Sequence, residues 1–348
     1  MTKYIPKFGI IEATLACNFN CIHCGSRAGV KRENELTLNE IENILSDLND
    51  LGCEQVAYMG GEFFLRKDWV DILKKTNLYN IDFSIATNGY LLNEEYFEIL
   101  KKLNIKGISF SLDSSDKRQH DSLRGKMGAF DKVIENIKLA NEYNISTAVY
   151  TTVNKQNVSQ LDSILELILD LDLDILWKVI LASCHDEKFS EEYRVDEDTF
   201  IKTAEFLSKN KNIYNYNSSK IMIEESHDIG YCSDIYPNLS ETFCKTGCTA
   251  GINHFGVQSN GNVKGCLSLQ DDFIEGNIRE TSFKEIWENK TNFYYSRHFS
   301  PSMLEGACKN CIKSKKSECK GGCRDFAHST TGSIFNTPFC LYKIESKF

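Results

Sequence analysis

Fourteen cysteines lie in this chain of 348 residues, and their spacing is the first sign of chemistry. Cys17, Cys21 and Cys24 fall within eight residues, in the segment CNFNCIHC. Eight more run from the middle to the end: Cys244, Cys248, Cys266, Cys308, Cys311, Cys319, Cys323 and Cys340. Cys53, Cys184 and Cys232 stand apart. Clustered thiols in a chain without an export signal are more often metal or iron–sulfur ligands than disulfide halves. Three thiolates on one tight loop can hold three irons of a 4Fe–4S cube and leave the fourth iron open to an exogenous chelate. The same loop admits a zinc reading, with His23 completing a set of three Cys and one His. His23 would then have to fold back onto the ion that its neighbour Cys24 holds. The eight later thiols make two sets of four, which suits two zinc ions or two Fe–S clusters.

Composition narrows the class. Hydrophobic residues make up 41% and charged residues 26%, enough apolar material for a core. The length fits two domains, or one large α/β barrel with an attachment. Forty basic against 49 acidic residues give a net charge of −9, which counts against a nucleic-acid partner. No run of about 18 apolar residues exists, so no membrane partner is expected. The start, MTKYIPKFGI, lacks the apolar stretch of a secretory signal, so a cytoplasmic location is expected.

The elements that must position the thiols alternate along the first two-thirds. Short apolar runs at 8–14, 55–59, 81–86, 107–112, 145–153 and 175–181 read as strands. Runs with helical spacing lie between and after them. In the clearest helix, apolar residues recur at 38, 41, 44, 45, 48 and 51, with Thr37 and Glu40 placed as a capping box. Six β/α units predict a parallel sheet with right-handed crossovers, as an open sheet or a barrel. Ligands then sit at the carboxyl ends of the strands. The chemistry-bearing residues fall there: Cys17–Cys24, Gly60-Gly61-Glu62, Thr87-Asn88-Gly89, Asp113, Asn154 and Cys184-His185. The polar segment 210–220 reads as a linker.

The loop spacing C-x3-C-x2-C resembles the hallmark of the radical S-adenosylmethionine (radical SAM) enzymes, over residues 8 to about 185. The resemblance implies a partial (β/α)6 TIM-like barrel. It also implies a 4Fe–4S cluster on Cys17, Cys21 and Cys24 whose open iron binds S-adenosylmethionine. Gly60-Gly61-Glu62 resembles the family's GGE motif, whose Glu and backbone hold the methionine amino group; Phe63 replaces the usual Pro. The resemblance further assigns cofactor contacts to Asn88, Ser109, Ser111 and Asp113. Arg124, in a stretch like HD-x-x-RG, would pair with the cofactor carboxylate, since an Arg suits bidentate carboxylate binding.

The C-terminal cysteines resemble a SPASM domain, with a two-residue insertion around Lys315 and Lys316. This implies domains at 1–215 and 244–348 joined by a bridging segment, 216–243. By analogy a first auxiliary 4Fe–4S cluster takes Cys244, Cys248, Cys266 and Cys323. A second takes Cys308, Cys311, Cys319 and Cys340, making three clusters with the radical SAM one. Residues 256–266 read as a hairpin turning at Asn260-Gly261. Residues 276–289 resemble the short helix between the halves, with Ile286 and Trp287 buried. Cys53 reads as core, and Cys232 as a surface thiol or a cluster ligand. Cys184, at the barrel mouth, is the candidate hydrogen-atom donor or substrate-contacting thiol.

The resemblance implies a polypeptide substrate carrying a leader, modified after translation, with a thioether or carbon–carbon crosslink expected. The partners are that peptide and an electron donor such as a flavodoxin or ferredoxin. A small-molecule or cofactor precursor, such as a haem intermediate, is the alternative. Sulfatase maturation fits less well, because Leu267 stands where that branch has an Asp. Asp271, Asp272, Glu224 and Glu225 are candidate bases.

Overall fold

The computed structural model describes residues 4–183, 189–215, 220–226, 229, 233, 235–236, 239, 247–316 and 319–345. Seven strands form the parallel body: β1 (Phe8–Thr14), β2 (Gln55–Gly60), β3 (Asp82–Thr87), β4 (Gly107–Ser111), β5 (Thr147–Val153), β6 (Ile175–Leu181) and β7 (Ile221–Glu225). Each pairs in parallel with the next, in chain order. Helices α1 (Leu38–Leu51), α2 (Trp69–Leu78), α3 (Glu94–Lys102), α4 (Lys117–Arg124), α5 (Ala129–Glu142), α6 (Leu161–Asp170) and α7 (Glu197–Tyr214) supply the crossovers. Parallel strands need such helices because consecutive strands run the same way.

Local chemistry explains the elements. In α1 the Thr37 side chain accepts from Glu40 N–H and the Glu40 carboxylate accepts from Thr37 N–H, the expected capping box. Ile41, Ile44, Leu45, Leu48 and Leu51 are buried along its inner face. Burying each such side chain contributes roughly 1.5–3 kcal/mol. Strand burial alternates strictly: Thr147, Val149, Thr151 and Val153 of β5 are buried, while the residues between them are half-buried. One face thus packs on the helices. The other, with Ser111 and Thr152, lines the inside of the half-barrel.

Two features depart from expectation. The helix that begins at Glu197 continues to Tyr214, so the polar stretch from 210 is partly helical. The expected bridging segment contributes a seventh parallel strand, β7.

The C-terminal part extends the same sheet. Strand β8 (His254–Val257) runs parallel to β1. It turns through Gly261, at φ +91°, into β9 (Asn262–Lys264), and β10 (Gly276–Asn277) follows. Gly9 permits the junction, since a Cβ there would lie 2.1 Å from the Phe255 ring. Helix α8 (Phe283–Glu288) buries Ile286 and Trp287 as expected, and Trp287 Nε1 donates to Tyr4 O at 3.0 Å. Among the described residues no helix is long and apolar enough to cross a membrane.

Candidate active site

The loop after β1 is shaped by backbone amides. Cys17 N–H donates to Gly29 O (3.0 Å) and Ile22 N–H to Leu123 O (3.0 Å). Phe19 N–H points at Cys17 Sγ (3.4 Å) and Ala28 N–H at Cys24 Sγ (3.3 Å). These donors favour the thiolate form of a thiol. The sulfurs of Cys17, Cys21 and Cys24 line one cavity of about 270 Å³, beside Gly60, Gly61, Asn88, Ser111 and Arg124. Burial pushes the Cys17 thiol up to about 11 and raises Cys21 as well. A bound cation reverses that preference, because a coordinating thiol gives up its proton.

Among the described residues no group of three or more His, Cys, Asp or Glu side chains converges on a single-ion site. An iron–sulfur cube spreads its ligands over separate irons. His23 does not fold back toward Cys24's ligand position. Its Nε2 lies 3.1 Å from Asp113 Oδ2, although the residue lines the same cavity as the three thiols.

Asp113 is the hub of the site. It is fully buried at the end of β4. Arg124 Nε approaches its Oδ2 at 2.6 Å, and Thr152 N–H donates to Oδ1 at 2.9 Å. Burial alone would raise this carboxyl, but Arg124 and then His23 outweigh it and hold it far below the ordinary range. Arg124 Nη1 in turn reaches Cys21 Sγ at 3.9 Å. Asp113 does not line the cavity. It pairs with Arg124 and His23 instead. Arg124 does line the cavity, with one edge spent on Asp113.

His120 closes the network by accepting Asp113 N–H at Nδ1 (3.2 Å). Burial, then the Arg124 charge, lowers its pKa to about 4. The unfolded chain therefore binds more protons between about pH 6.5 and 4. Stability from this group is present above about 6.5 and is lost as pH falls toward 4. We expect the His120 ring to titrate near 4, read from its NMR shifts. His120→Gln should flatten the stability profile across that window, and an unshifted imidazole would contradict this.

Glu62 is likewise held by the protein's own hydrogen bonds. It is fully buried, and its carboxylate accepts from Thr87 Oγ1 (2.9 Å), Asn88 N–H (2.9 Å) and Phe64 N–H (3.2 Å). Burial pushes it up to about 7 against those hydrogen bonds. It clamps the β3 loop that carries Asn88, and only the backbone of its motif faces the cavity. Gly60 and Gly61 likewise serve the protein's own packing. A Cβ would lie 2.0 Å from Thr14 O at Gly60 and 2.1 Å from Ala16 O at Gly61. Ala16 precedes the first thiol, so Gly61→Ala should displace the loop and cut iron incorporation severalfold in a colorimetric assay. Normal iron content would contradict this.

The other expected residues divide as follows. Asn88 and Ser111 line the cavity, and Ser109, two residues earlier on the same strand, is not among its lining residues. Cys53 is buried core with Sγ near Lys7 O, as expected. Cys184, His185, Cys232 and Cys244 lie outside the described residues. Cys17, Cys21, Cys24, Cys53, Cys248, Cys266, Cys308, Cys311, Cys319 and Cys340 are free thiols. Cys308, Cys311, Cys319 and Cys340 gather: Cys308 and Cys311 act on the half-buried Cys319, and Cys319 and Cys308 act on Cys340. Cys266 is half-buried near Asp325 and Cys248, and the loss of water around its sulfur pushes it up to about 12. Glu224 and Glu225 are engaged by Lys178 and Lys211 on the edge strand.

Sequence reasoning missed a second cavity. It measures about 370 Å³, lies between β1 and the β8–β9 hairpin, and includes Glu12, Arg32, Gln258, Lys264 and Asp271. Gly25, Ser26, Leu267 and Ser268 line both cavities. The signal was available: Lys264 falls on the inward phase of a hairpin strand, two residues before Cys266.

Comparisons with known proteins agree with this geometry. The family model described as the radical SAM superfamily matches residues 11–168. The SPASM model, an iron–sulfur cluster-binding domain, matches residues 248–312. An AdoMet-dependent heme synthase of Methanosarcina barkeri is 28% identical over 347 residues, covering 97% of each chain. A PqqA peptide cyclase of Bradyrhizobium diazoefficiens is 25% identical over 342 residues, covering 97% of this chain and 86% of that one. Streptococcus suis SuiB bound to S-adenosylmethionine shares the fold, with a TM-score of 0.76 at 20% identity, over 96% of this chain and 76% of that one.

Proposed function

We propose that this chain, a radical SAM protein with a C-terminal SPASM domain, abstracts hydrogen from a ribosomally made peptide and installs a crosslink in it. One observation carries the reaction class: three thiols of a single loop open onto one cavity beside the Gly60-Gly61 backbone and Arg124. A 4Fe–4S cluster with S-adenosylmethionine on its open iron supplies, when bound, a 5′-deoxyadenosyl radical that takes hydrogen from carbon. Cys17, Cys21 and Cys24 would give the cluster its thiolates. Arg124, fixed by Asp113, offers its free edge to the cofactor carboxylate. Asn88 and Ser111 offer polar contacts beside it. The electron left on a substrate radical needs an acceptor. The set of Cys308, Cys311, Cys319 and Cys340, and the set built on Cys248, Cys266 and Cys323, would hold two auxiliary clusters for it. A flavodoxin or ferredoxin would supply the priming electron.

The substrate class rests on two supports. The PqqA peptide cyclase is named for a peptide substrate. The second cavity is mostly polar, with Leu15, Leu267 and Leu269 its few apolar side chains. That suits an extended peptide better than the flat apolar face of a tetrapyrrole. A haem-precursor substrate is the second reading, favoured by the full-length likeness to the heme synthase. Anaerobic incubation with S-adenosylmethionine, reductant and the peptide of the adjacent short reading frame separates them. A peptide lighter by two hydrogens supports the first reading. An unchanged peptide, with haem formed from an iron porphyrin precursor, would overturn it.

A further inference from the structure

Lys264 is an anomaly of the second cavity. Its side chain is 3% exposed, yet its one acidic partner, Asp271, is 67% exposed and lies 3.4 Å away. Nζ also donates to the carbonyl of Leu269. An ammonium carries three donors, so one remains for the cavity. A buried charge with so weak a counter-ion is costly unless something else pairs with it. Arg32 stands on the same cavity. Its Nε and Nη2 reach Glu12 Oε1 at 3.3 Å, and Nε also reaches Ser259 Oγ at 3.1 Å, while Nη1 makes no hydrogen bond among the described residues. Glu12 also acts on Lys264 through its charge, but makes no ion pair with it, and its Oε1 already accepts from Arg32 and from the Ser259 N–H and hydroxyl. The cavity therefore presents two cations with unused donors. It communicates with the thiol cavity past Leu267 and Ser268.

We propose that Lys264 and Arg32 form a subsite for a substrate carboxylate, which anchors the substrate so that its reacting carbon reaches past Leu267 into the thiol cavity. This deepens the proposed function and rests on it. Asp271 acts as a placeholder, sitting on Lys264 from the exposed rim until the substrate carboxylate replaces it. The carboxylate belongs either to a peptide (an acidic side chain or its C-terminus) or to a porphyrin side chain.

Equilibrium binding to the reconstituted enzyme with S-adenosylmethionine tests the subsite. One arm uses the adjacent-reading-frame peptide against a form with Asn and Gln for its acids and an amidated end. The other uses coproporphyrin III against its tetramethyl ester. In one arm the acid form should bind about tenfold tighter, as a charge-assisted hydrogen bond allows. Lys264→Met should erase that preference, and Lys264→Arg should keep part of it. Asp271→Asn should tighten acid binding severalfold, a gain that misfolding cannot mimic. An equal preference in wild type and Lys264→Met, no preference in either arm, or no gain in Asp271→Asn would overturn the subsite. Cofactor cleavage measured in the same samples keeps the two ideas separate. Cleavage without acid preference removes the subsite alone, and no cleavage removes the proposed function.

Discussion

Cys21→Ala is expected to abolish cofactor cleavage, with 5′-deoxyadenosine falling more than about a thousandfold, equivalent to more than about 4 kcal/mol in the barrier. The reason is local. Cys21 is the middle thiol of the loop, and Arg124 Nη1 lies 3.9 Å from its sulfur. Losing it leaves two thiols on a loop whose cavity needs three to fix a cube with one open iron. Alanine is smaller and apolar, so the fold itself should survive. Cys311→Ala offers the contrast. Its thiol belongs to the set near Cys340, away from the thiol cavity. That variant should retain some cleavage and lose the modified product. Chromatography of 5′-deoxyadenosine together with mass spectrometry of the peptide reads both. Wild-type cleavage by Cys21→Ala would sink the assignment.

The second large effect concerns Asp113. Replacing it by Asn removes the counter-ion of Arg124 while keeping the shape, leaving a guanidinium 9% exposed with its nearest carboxylate gone. Breaking a buried pair in this way costs about 3–5 kcal/mol, or a fall in Tm of about 10 °C in a domain this size. The loop should also load less iron, because His23 and Arg124 lose the group that orients them. Adding Arg124→Met to Asp113→Asn should recover part of the stability, since the unpaired charge is then gone. Thermal melts of the three proteins check this. An unchanged Tm in the single variant would show that the pair is not buried as described.

Much of this was legible in the sequence. The capping box of α1 is written in Thr37 and Glu40, and the Asn260-Gly261 turn in its own two residues, because local hydrogen bonds and backbone preference decide both. The loop thiols were legible because no packing role explains that spacing. Direction was not legible. Glu62 and Asp113 stand at strand ends, where a one-residue change of phase separates a cavity contact from a buried clamp. The glycines at 60 and 61 suggested close approach to a ligand, and the approach is to Thr14 O and Ala16 O. The seventh strand hid behind an Asn-rich stretch whose composition signals a loop. Lys264 went unnoticed because its meaning comes from burial between two parts of the chain distant in sequence.

Anaerobic reconstitution with iron and sulfide, followed by S-adenosylmethionine and a strong reductant, tests the central claim most directly. The readout is 5′-deoxyadenosine together with bound iron and sulfide. The account predicts about equal iron and sulfide, close to the content of three cubes, and reductant-dependent 5′-deoxyadenosine formation. Zinc in place of iron, or full iron and sulfide with no cleavage under any reductant, would contradict it.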